Sequence, residues 1–480
     1  MSTVNNLIKP TLWISVLLLL SSCVPELANP KESAIELPDT YSQISFPDSL
    51  NAANIEWQQF FNDSILISLI DTALEYNQEY NLFTQRVRMR GNEVLSRSGE
   101  YLPHLNIGAD AGVTRSGEYS LDGAAERQLQ INPGNPNSDP VPNLGLGLMS
   151  NWEIDIWNKL HDAKDAAVAN FMGSEQGQIF MKTQLISEIA TKYYELLALD
   201  SQLEILHRNI RIQSDALATV RLQKESARVT ELAVRKFEAE VFHTRSLEFL
   251  IQQEITATEN ELKLLIGVPL DSIPRSALDL ESCVLDPVYV GVPIDLIANR
   301  ADIREAEYRI LAANLSVSAA RKSFYPSVDI GAGAGVQSAS GSLLFSTPSS
   351  MMYNLLGGVS APLLNRRALT AEIYNADAEQ RIAVLEYDQA VLRAFTEVNT
   401  QLSGIQNISA SLDLQSQEVA ALTSSVEIST NLFKSARADY MEVLLTQRDA
   451  LRSKFEWVDT KRDQLIACVN LYRSLGGGWK

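Results

Sequence analysis

The distribution of proline constrains this chain more than any other feature. All 17 prolines lie outside three windows, 48–102, 143–268 and 363–480. Proline lacks a backbone N–H and clashes with the preceding helical turn. Long windows free of it and rich in Ala, Leu, Glu, Gln, Lys and Arg are therefore what long helices require. Within 365–434, Val391, Phe395, Val398, Leu402 and Ile405 alternate spacings of four and three, a coiled-coil-like seam. Residues 158–225 carry a similar series through Leu185, Ile189, Leu196, Leu199, Leu203, Leu206 and Ile210. Each stretch predicts a helix roughly 100 Å long. Helices of that length do not wrap a compact core; they pack side by side.

Between these windows the period changes from helical to two. Leu105, Ile107, Ala109, Ala111 and Val113 alternate with Asn106, Gly108, Asp110 and Gly112. Val328, Ile330, Ala332, Ala334 and Val336 do the same against Asp329, Gly331, Gly333 and Gly335. Leu144, Leu146, Leu148, Trp152, Ile154 and Ile156 continue the pattern, with a weaker example near Tyr353 to Ala361. Alternation of this kind fits a membrane barrel strand, apolar outward and polar or small inward. By period alone an amphipathic hairpin on a soluble core is the commoner case. The glycines do not form a nucleotide loop: Gly331-Ala-Gly-Ala-Gly335 lacks the GxGxxG spacing and no βαβ pattern surrounds it.

The N-terminus favours the barrel. Lys9 precedes the apolar run Leu12 to Leu20, which ends in Leu20-Ser21-Ser22-Cys23. A basic residue, a short apolar core and small residues before a cleavage point describe a secretory signal, and the run is too short to span a bilayer. Leu-Ser-Ser-Cys also resembles the lipobox of bacterial lipoproteins, in which the cysteine becomes the first residue and carries lipid. On that resemblance Cys23 is the lipidation site, and Val24, not being Asp, implies sorting to the outer membrane. No later segment is apolar enough to span as a helix, so deeper membrane contact requires strands. The net charge of −19, or −20 once Lys9 is removed, argues against a nucleic-acid partner. Three cysteines, Cys23, Cys283 and Cys468, are too few for a disulfide scaffold and form no metal-binding spacing. The histidines His104, His161, His207 and His243 are scattered, so no metal and no cofactor is expected.

The chain also repeats itself. Leu102 to Gly112 matches Tyr325 to Gly335, and Asn158-Lys159 matches Asn365-Arg366. Ser226-Ala227-Arg228 matches Ser435-Ala436-Arg437, and Ile266-Gly267 matches Leu475-Gly476. Four landmarks in the same order make two copies of one unit: helix, two strands with a loop, long helix, turn and returning helix.

Several motifs then carry a family resemblance. Trp57-Gln-Gln-Phe60-Phe-Asn-Asp63, Leu69-Ile70 and Ala73-Leu74-Glu-Tyr-Asn77 resemble the N-terminal signature of outer-membrane efflux proteins. Gly291 to Glu307 resembles the family's hallmark before the second-half helix, with Ala301 where its Arg-Pro-Asp-Ile has proline. Asp439 to Arg448 resembles the turn into the last helix, and Thr230 to Val234 its first-half counterpart; the usual turn glycine is Ala436 in one copy and Ala227 in the other. The likeness runs from about Trp57 to Gly476 and is to the TolC-like outer-membrane factors, in particular their lipoprotein (OprM/NodT-type) branch.

The resemblance implies a mainly α fold with a membrane β-barrel: a trimeric 12-stranded barrel, four strands per chain, continued by a long periplasmic α-helical barrel. It divides the chain into a signal peptide (1–22), a lipidated N-terminal segment (23–56), a first repeat (57–267, strands about 102–115 and 144–156), an equatorial connection (268–300) and a second repeat (301–480, strands about 326–338 and 353–362). The implied function is a passive duct from periplasm to exterior. Its partners would be a homotrimer, a membrane-fusion adaptor, an inner-membrane pump of RND type and outer-membrane lipid. Both sharp turns are expected at the periplasmic tip, where Arg228, Glu231, Arg437, Asp439 and Tyr440 sit. Three copies of Asp439 around an axis would constrict the tube, although Asp as a helix N-cap and Arg at a helix C-terminus are also ordinary turn chemistry.

Trp152, Trp157 and Tyr101 flank the strands and suit either an interfacial aromatic belt or core packing. Asp302 and Glu305 suit a first helical turn. A periplasmic enzyme is disfavoured by the lack of GxSxG, P-loop, HExxH or a nucleophile–base constellation. A coiled-coil adaptor or scaffold lipoprotein would explain the helices but not the duplicated strands. A type I secretion duct would share the same conduit.

Overall fold

The computed structural model describes residues 24–27, 32–33, 35–41, 52–275, 280, 283, 285, 289–362, 364, 366–435 and 437–479. Its elements in chain order are α1 (Trp57–Phe60), α2 (Ser64–Tyr76), α3 (Gln78–Glu100), β1 (His104–Thr114), α4 (Leu121–Gln128), β2 (Val141–Ile154), α5 (Lys159–Glu225) and α6 (Glu231–Ile266). There follow α7 (Asp295–Asn299), α8 (Ala301–Lys322), β3 (Ser327–Ser338), β4 (Met351–Ser360), α9 (Arg367–Lys434) and α10 (Tyr440–Ser474). The proline-free windows thus become α5 and α9, of 67 and 68 residues, and the returning helices α6 and α10, of 36 and 35. No helix among the described residues is long and apolar enough to cross a membrane. The chain forms two compact units, to both of which α5 and α9 contribute residues.

The first unit gathers Met89–Phe171 and Tyr308–Val384, with the described residues before Ser33. Its centre is a four-stranded antiparallel sheet in the order β1-β2-β3-β4. Ile107 lies opposite Leu148, Leu146 opposite Val336, and Ala334 opposite Tyr353. Because side chains alternate along a strand, this register gathers most of the apolar residues of the four strands on one face, with Met149, Met352 and Leu356 on the other. The other face carries Asn106, Asp110, Gly147, Gly335 and Asn354. Among the described residues nothing covers the apolar face: Ile107 is 76% exposed, Tyr353 88% and Leu355 75%.

Glycine on the second face has a steric cause. Gly147 and Gly335 lie directly opposite, and a Cβ at Gly335 would overlap the carbonyl oxygen of Leu146. β2 begins at Val141 and ends at Ile154, two to three residues earlier than its expected span at each end. The hairpin already pairs Val141 with Thr114, while Ile156 lies in the turn before α5. The loop between β1 and β2 holds α4, whose N-cap Ser120 accepts a hydrogen bond from the Gly123 amide at 3.1 Å. Where strands give way to helices, the Trp152 indole donates to the Tyr101 carbonyl at 2.9 Å and the Trp157 indole to the Pro326 carbonyl at 2.7 Å. A small cluster of Ala320, Phe324, Ile373 and Ala376 receives Val24 and Leu27.

The second unit comprises Ser33–Arg88, Met172–Glu307 and Leu385–Lys480. Its core joins Trp57, Phe60, Leu66 and Ile70 to α5 residues Ile189 and Leu196, α9 residues Val391 and Val398, and α10 residues Val458 and Leu465. The periodic apolar positions read from the sequence are thus the buried seams of the long helices. Asp63 fixes the entry: Oδ1 accepts the Ile65 amide at 2.8 Å, and Oδ2 accepts the Tyr193 hydroxyl at 2.9 Å. Gly267 terminates α6 with φ 81°, and a Cβ there would overlap the Tyr76 carbonyl oxygen. Gly476 repeats the device at φ 88° against the carbonyl of Asn299.

Candidate functional site

Two sharp turns end the long helices, both in the second unit. The chain leaves α5 at Glu225 and re-enters helix at Glu231; it leaves α9 at Lys434 and re-enters at Tyr440. In the first turn Ala227 takes φ 59°, its amide donates to the Lys224 carbonyl at 2.8 Å, and the Arg228 amide reaches the Gln223 carbonyl at 2.9 Å. This left-handed closure satisfies the last carbonyls of α5 and is the position where glycine is easiest. In the second turn the Arg437 amide donates to the Leu432 carbonyl at 2.9 Å.

A separate apolar cluster brings the turns together. Leu217 and Val220 of α5, Val234, Phe237 and Val241 of α6, and Val443 and Leu444 of α10 are buried, with Val229, Phe433 and Tyr440 packed against them. The Phe237 and Phe433 rings lie 6.4 Å apart. Of the sequence-predicted residues, Tyr440 joins this cluster, while Arg228, Glu231, Arg437 and Asp439 point to solvent. Asp439 occupies the N-cap position of α10 with extended backbone, φ −80° and ψ 152°, yet its carboxylate makes no capping hydrogen bond. Ordinary N-cap chemistry therefore does not account for it.

Glu231 is the most heavily paired of the five. It forms ion pairs with Lys224 and with Arg235, the latter at 2.8 Å, and Arg235 continues to Glu238 at 2.8 Å. The hydrogen bond from Lys224 holds the Glu231 carboxyl below the usual carboxylate range. Lys224, Arg235 and the Phe237–Phe433 pair escaped the sequence reading. Charged residues near helix ends are too common to stand out, and an aromatic pair 196 positions apart leaves no local trace. Cys23 lies outside the described residues.

Away from the two turns, Asp302 does more than favour a helix dipole. Its carboxylate receives Arg300 Nη2 at 2.6 Å and Nε at 2.9 Å, and Arg300 Nη1 also reaches Glu397 at 2.8 Å. No disulfide joins Cys283 and Cys468, and burial pushes the Cys468 thiol up to about 11. Among the described residues no group of three or more His, Cys, Asp or Glu could hold a metal ion.

This architecture recurs in known proteins. The model of the outer membrane efflux protein family matches residues 69–268 and again 292–477, once over each half. A curated relative, the pyoverdine export outer membrane protein OpmQ of Pseudomonas putida, is 28% identical over 424 residues, covering 88% of each chain. The cation efflux system protein CusC of Escherichia coli is 26% identical over 472 residues, 97% of this chain and 98% of that one. The open-state MtrE outer membrane channel of Neisseria gonorrhoeae superposes with TM-score 0.83 at 20% identity, covering 95% of this chain and 98% of MtrE. With both halves matched and the fold shared almost end to end, the chain belongs to the outer membrane efflux protein family.

Proposed function

We propose that the chain is the outer-membrane channel subunit of a tripartite efflux system, working as a homotrimer. The observation that carries this reading is the four-stranded sheet with one bare apolar face and two unpaired outer edges, β1 and β4. Such edges are not tolerated in lipid, and a membrane barrel needs at least about eight strands. Three copies supply twelve strands and close the ring. The apolar face then meets lipid, and the face bearing Asn106, Asp110 and the glycines lines water. A coiled-coil adaptor or scaffold has no use for such a sheet.

The long helices form the periplasmic duct, and the turns at 226–230 and 435–439 are its tip. A membrane-fusion adaptor docks the duct to an inner-membrane pump of RND type. The subunit itself is passive and catalyses no reaction. Lipid attached at Cys23 anchors it to the outer membrane; Val24, the next residue, packs against the cluster beside the start of β3 and α9, which favours an anchor on that side. Repeats at 57–267 and 301–480, joined by 268–300, remain the working division of the chain. Asp439 is the proposed constriction, with Arg437, Tyr440, Arg228 and Glu231 shaping the tip around it. The relatives named above export pyoverdine and cations, so the family tolerates unlike cargo.

The test is the protein molar mass of the mature chain extracted from outer membranes in detergent. Three chains per particle, dissociating on heating, is the expected result. A monomer that stays soluble without detergent would overturn the shared barrel.

A further inference from the structure

Partway along the helices of the second unit, α5, α9 and α10 enclose a groove of about 590 Å³. That volume lies within the range of small-molecule sites. Ile205, Val426, Leu451 and Trp457, all partly buried, give it an apolar wall.

Its polar lining is unusual for this chain. Although the protein carries a net charge of −19, the ionisable side chains on the groove are Arg208, Lys434 and Lys454 against Glu427 alone. Lys454 is half-buried, and among the described residues no carboxylate lies within ion-pair distance of it. Burial, and then the positive charge of Arg208, disfavour its protonated form. Arg208 is exposed and already ion-paired to Glu204, so of the two Lys454 alone lacks a counterion, and a half-buried ammonium without one is costly unless an anion joins it.

A second observation is independent of charge. Gln447 lines the same groove, is only 2% exposed, and neither atom of its carboxamide has a hydrogen-bond partner. Asn209 Nδ2, also on the groove, is an unpartnered donor. Buried amides without partners are destabilising, so they are expected to be satisfied by something that enters.

The internal repeat shows that the fold does not demand these residues. The first-half counterpart of Gln447 is Glu238, which is ion-paired to Arg221 at 3.0 Å and to Arg235 at 2.8 Å. The counterpart of Trp457 is Glu248, paired to His207 at 3.1 Å. At these two positions the first half sets paired glutamates, whereas the second half keeps an aromatic ring and a bare carboxamide.

We propose that the groove bounded by α5, α9 and α10 binds a small amphipathic organic anion, a carboxylate or sulfonate on an apolar body. The anionic head meets Lys454 and Arg208 and accepts from Asn209 and Gln447. The apolar body lies against Trp457, Leu451 and Ile205. The proposal is separate from the efflux reading and stands or falls without it.

The test is calorimetric titration of the full-length protein in lipid nanodiscs with 1-naphthoate, and in parallel with 1-naphthylmethylammonium, each corrected by empty nanodiscs. Saturable naphthoate binding is expected at one site per chain, with no saturation by the ammonium analogue. Lys454→Gln and Gln447→Leu should each weaken naphthoate binding at least tenfold, and Lys454→Arg should restore most of it. The wild-type comparison of the two probes needs no variant to fold. Absence of saturable naphthoate binding, as when a helix of a second copy fills the groove, overturns the proposal. Equal binding of both probes, or naphthoate binding unchanged in both weakening variants, overturns it as well.

Discussion

Asn77 and Arg300 make the same hydrogen bond in the two halves of the chain. Asn77 Nδ2 donates to the Leu265 carbonyl at 2.7 Å, and Arg300 Nη1 donates to the Ser474 carbonyl at 3.0 Å. Each ties the start of a half to the last turn of the helix that ends it, next to the closing glycines Gly267 and Gly476. The duplication read from sequence landmarks is thus preserved at single bonds, with a neutral amide in one copy and a buried guanidinium in the other.

Removing Arg300 should cost more than removing Asn77. Arg300→Met strands Asp302 and Glu397 without their shared cation, a loss of about 3–5 kcal/mol for a broken buried pair. Asn77→Ala forfeits the Leu265 bond and the bond accepted from the Tyr80 amide at 2.7 Å. That loss should be about 1–3 kcal/mol. Denaturant unfolding of the two variants side by side gives the order, and equal midpoints would contradict it.

Gly335→Ala should lower the yield of assembled, heat-modifiable protein in the outer membrane, because its Cβ meets backbone on the neighbouring strand rather than a movable side chain. Gly357→Ala, with nothing within 4 Å of the new carbon, should assemble normally. The difference is visible by unheated gel electrophoresis of membrane fractions.

The two faces of the sheet should respond oppositely to charge. Leu355→Arg puts a guanidinium on the apolar face and should cost about 2–4 kcal/mol if it lies near the bilayer midplane. Asn106→Arg, on the other face, should assemble and instead shift ion selectivity towards anions. Outer-membrane levels and planar-bilayer reversal potentials check the two outcomes.

The Cys468 thiol, moved by burial from 9.0 to about 11, makes stability depend on alkaline pH. A raised thiol pKa means the folded state resists ionisation. Its contribution is fully present below pH 9 and is lost as pH rises from there towards 11, where the unfolded chain ionises first. In a Cys283→Ser background, iodoacetamide should label Cys468 slowly at pH 8 and much faster once the protein is unfolded in guanidinium. Equal rates would contradict the burial.

Asp439→Ala should leave stability within about 0.5 kcal/mol, since no capping bond is lost. If Asp439 constricts the tip, single-channel conductance and drug permeability should both rise. Unchanged conductance together with unchanged permeability would remove it from the gate.

The strands and long helices were legible because their signals are local. Leu105 to Val113 alternates within nine residues, and Val391 to Ile405 keeps its spacing within one helix. The two turns were legible as well, marked by Ser226-Ala227-Arg228 and its second-half match. What the sequence withheld are consequences of distant packing. Asp302 read as a helix-start acid because its partner's other contacts, Glu397 and Ser474, lie in helices far along the chain. The glycines read as merely small, whereas Gly335 is needed for the approach of Leu146 across the sheet. Gln447 read as part of the Asp439–Arg448 motif, and nothing in that motif marked its carboxamide as buried without a partner among three helices.

The strand order has one more consequence. Pairing β2 with β3 fuses the two halves at the middle of the sheet, so the free edges are unlike, β1 from the first half and β4 from the second. In a ring of three, copies therefore join head to tail, each offering one kind of edge and receiving the other. A subunit with a damaged β1 still captures a healthy neighbour through β4. Mixed with intact copies it would leave rings that never close, so one faulty allele would poison the products of a sound one.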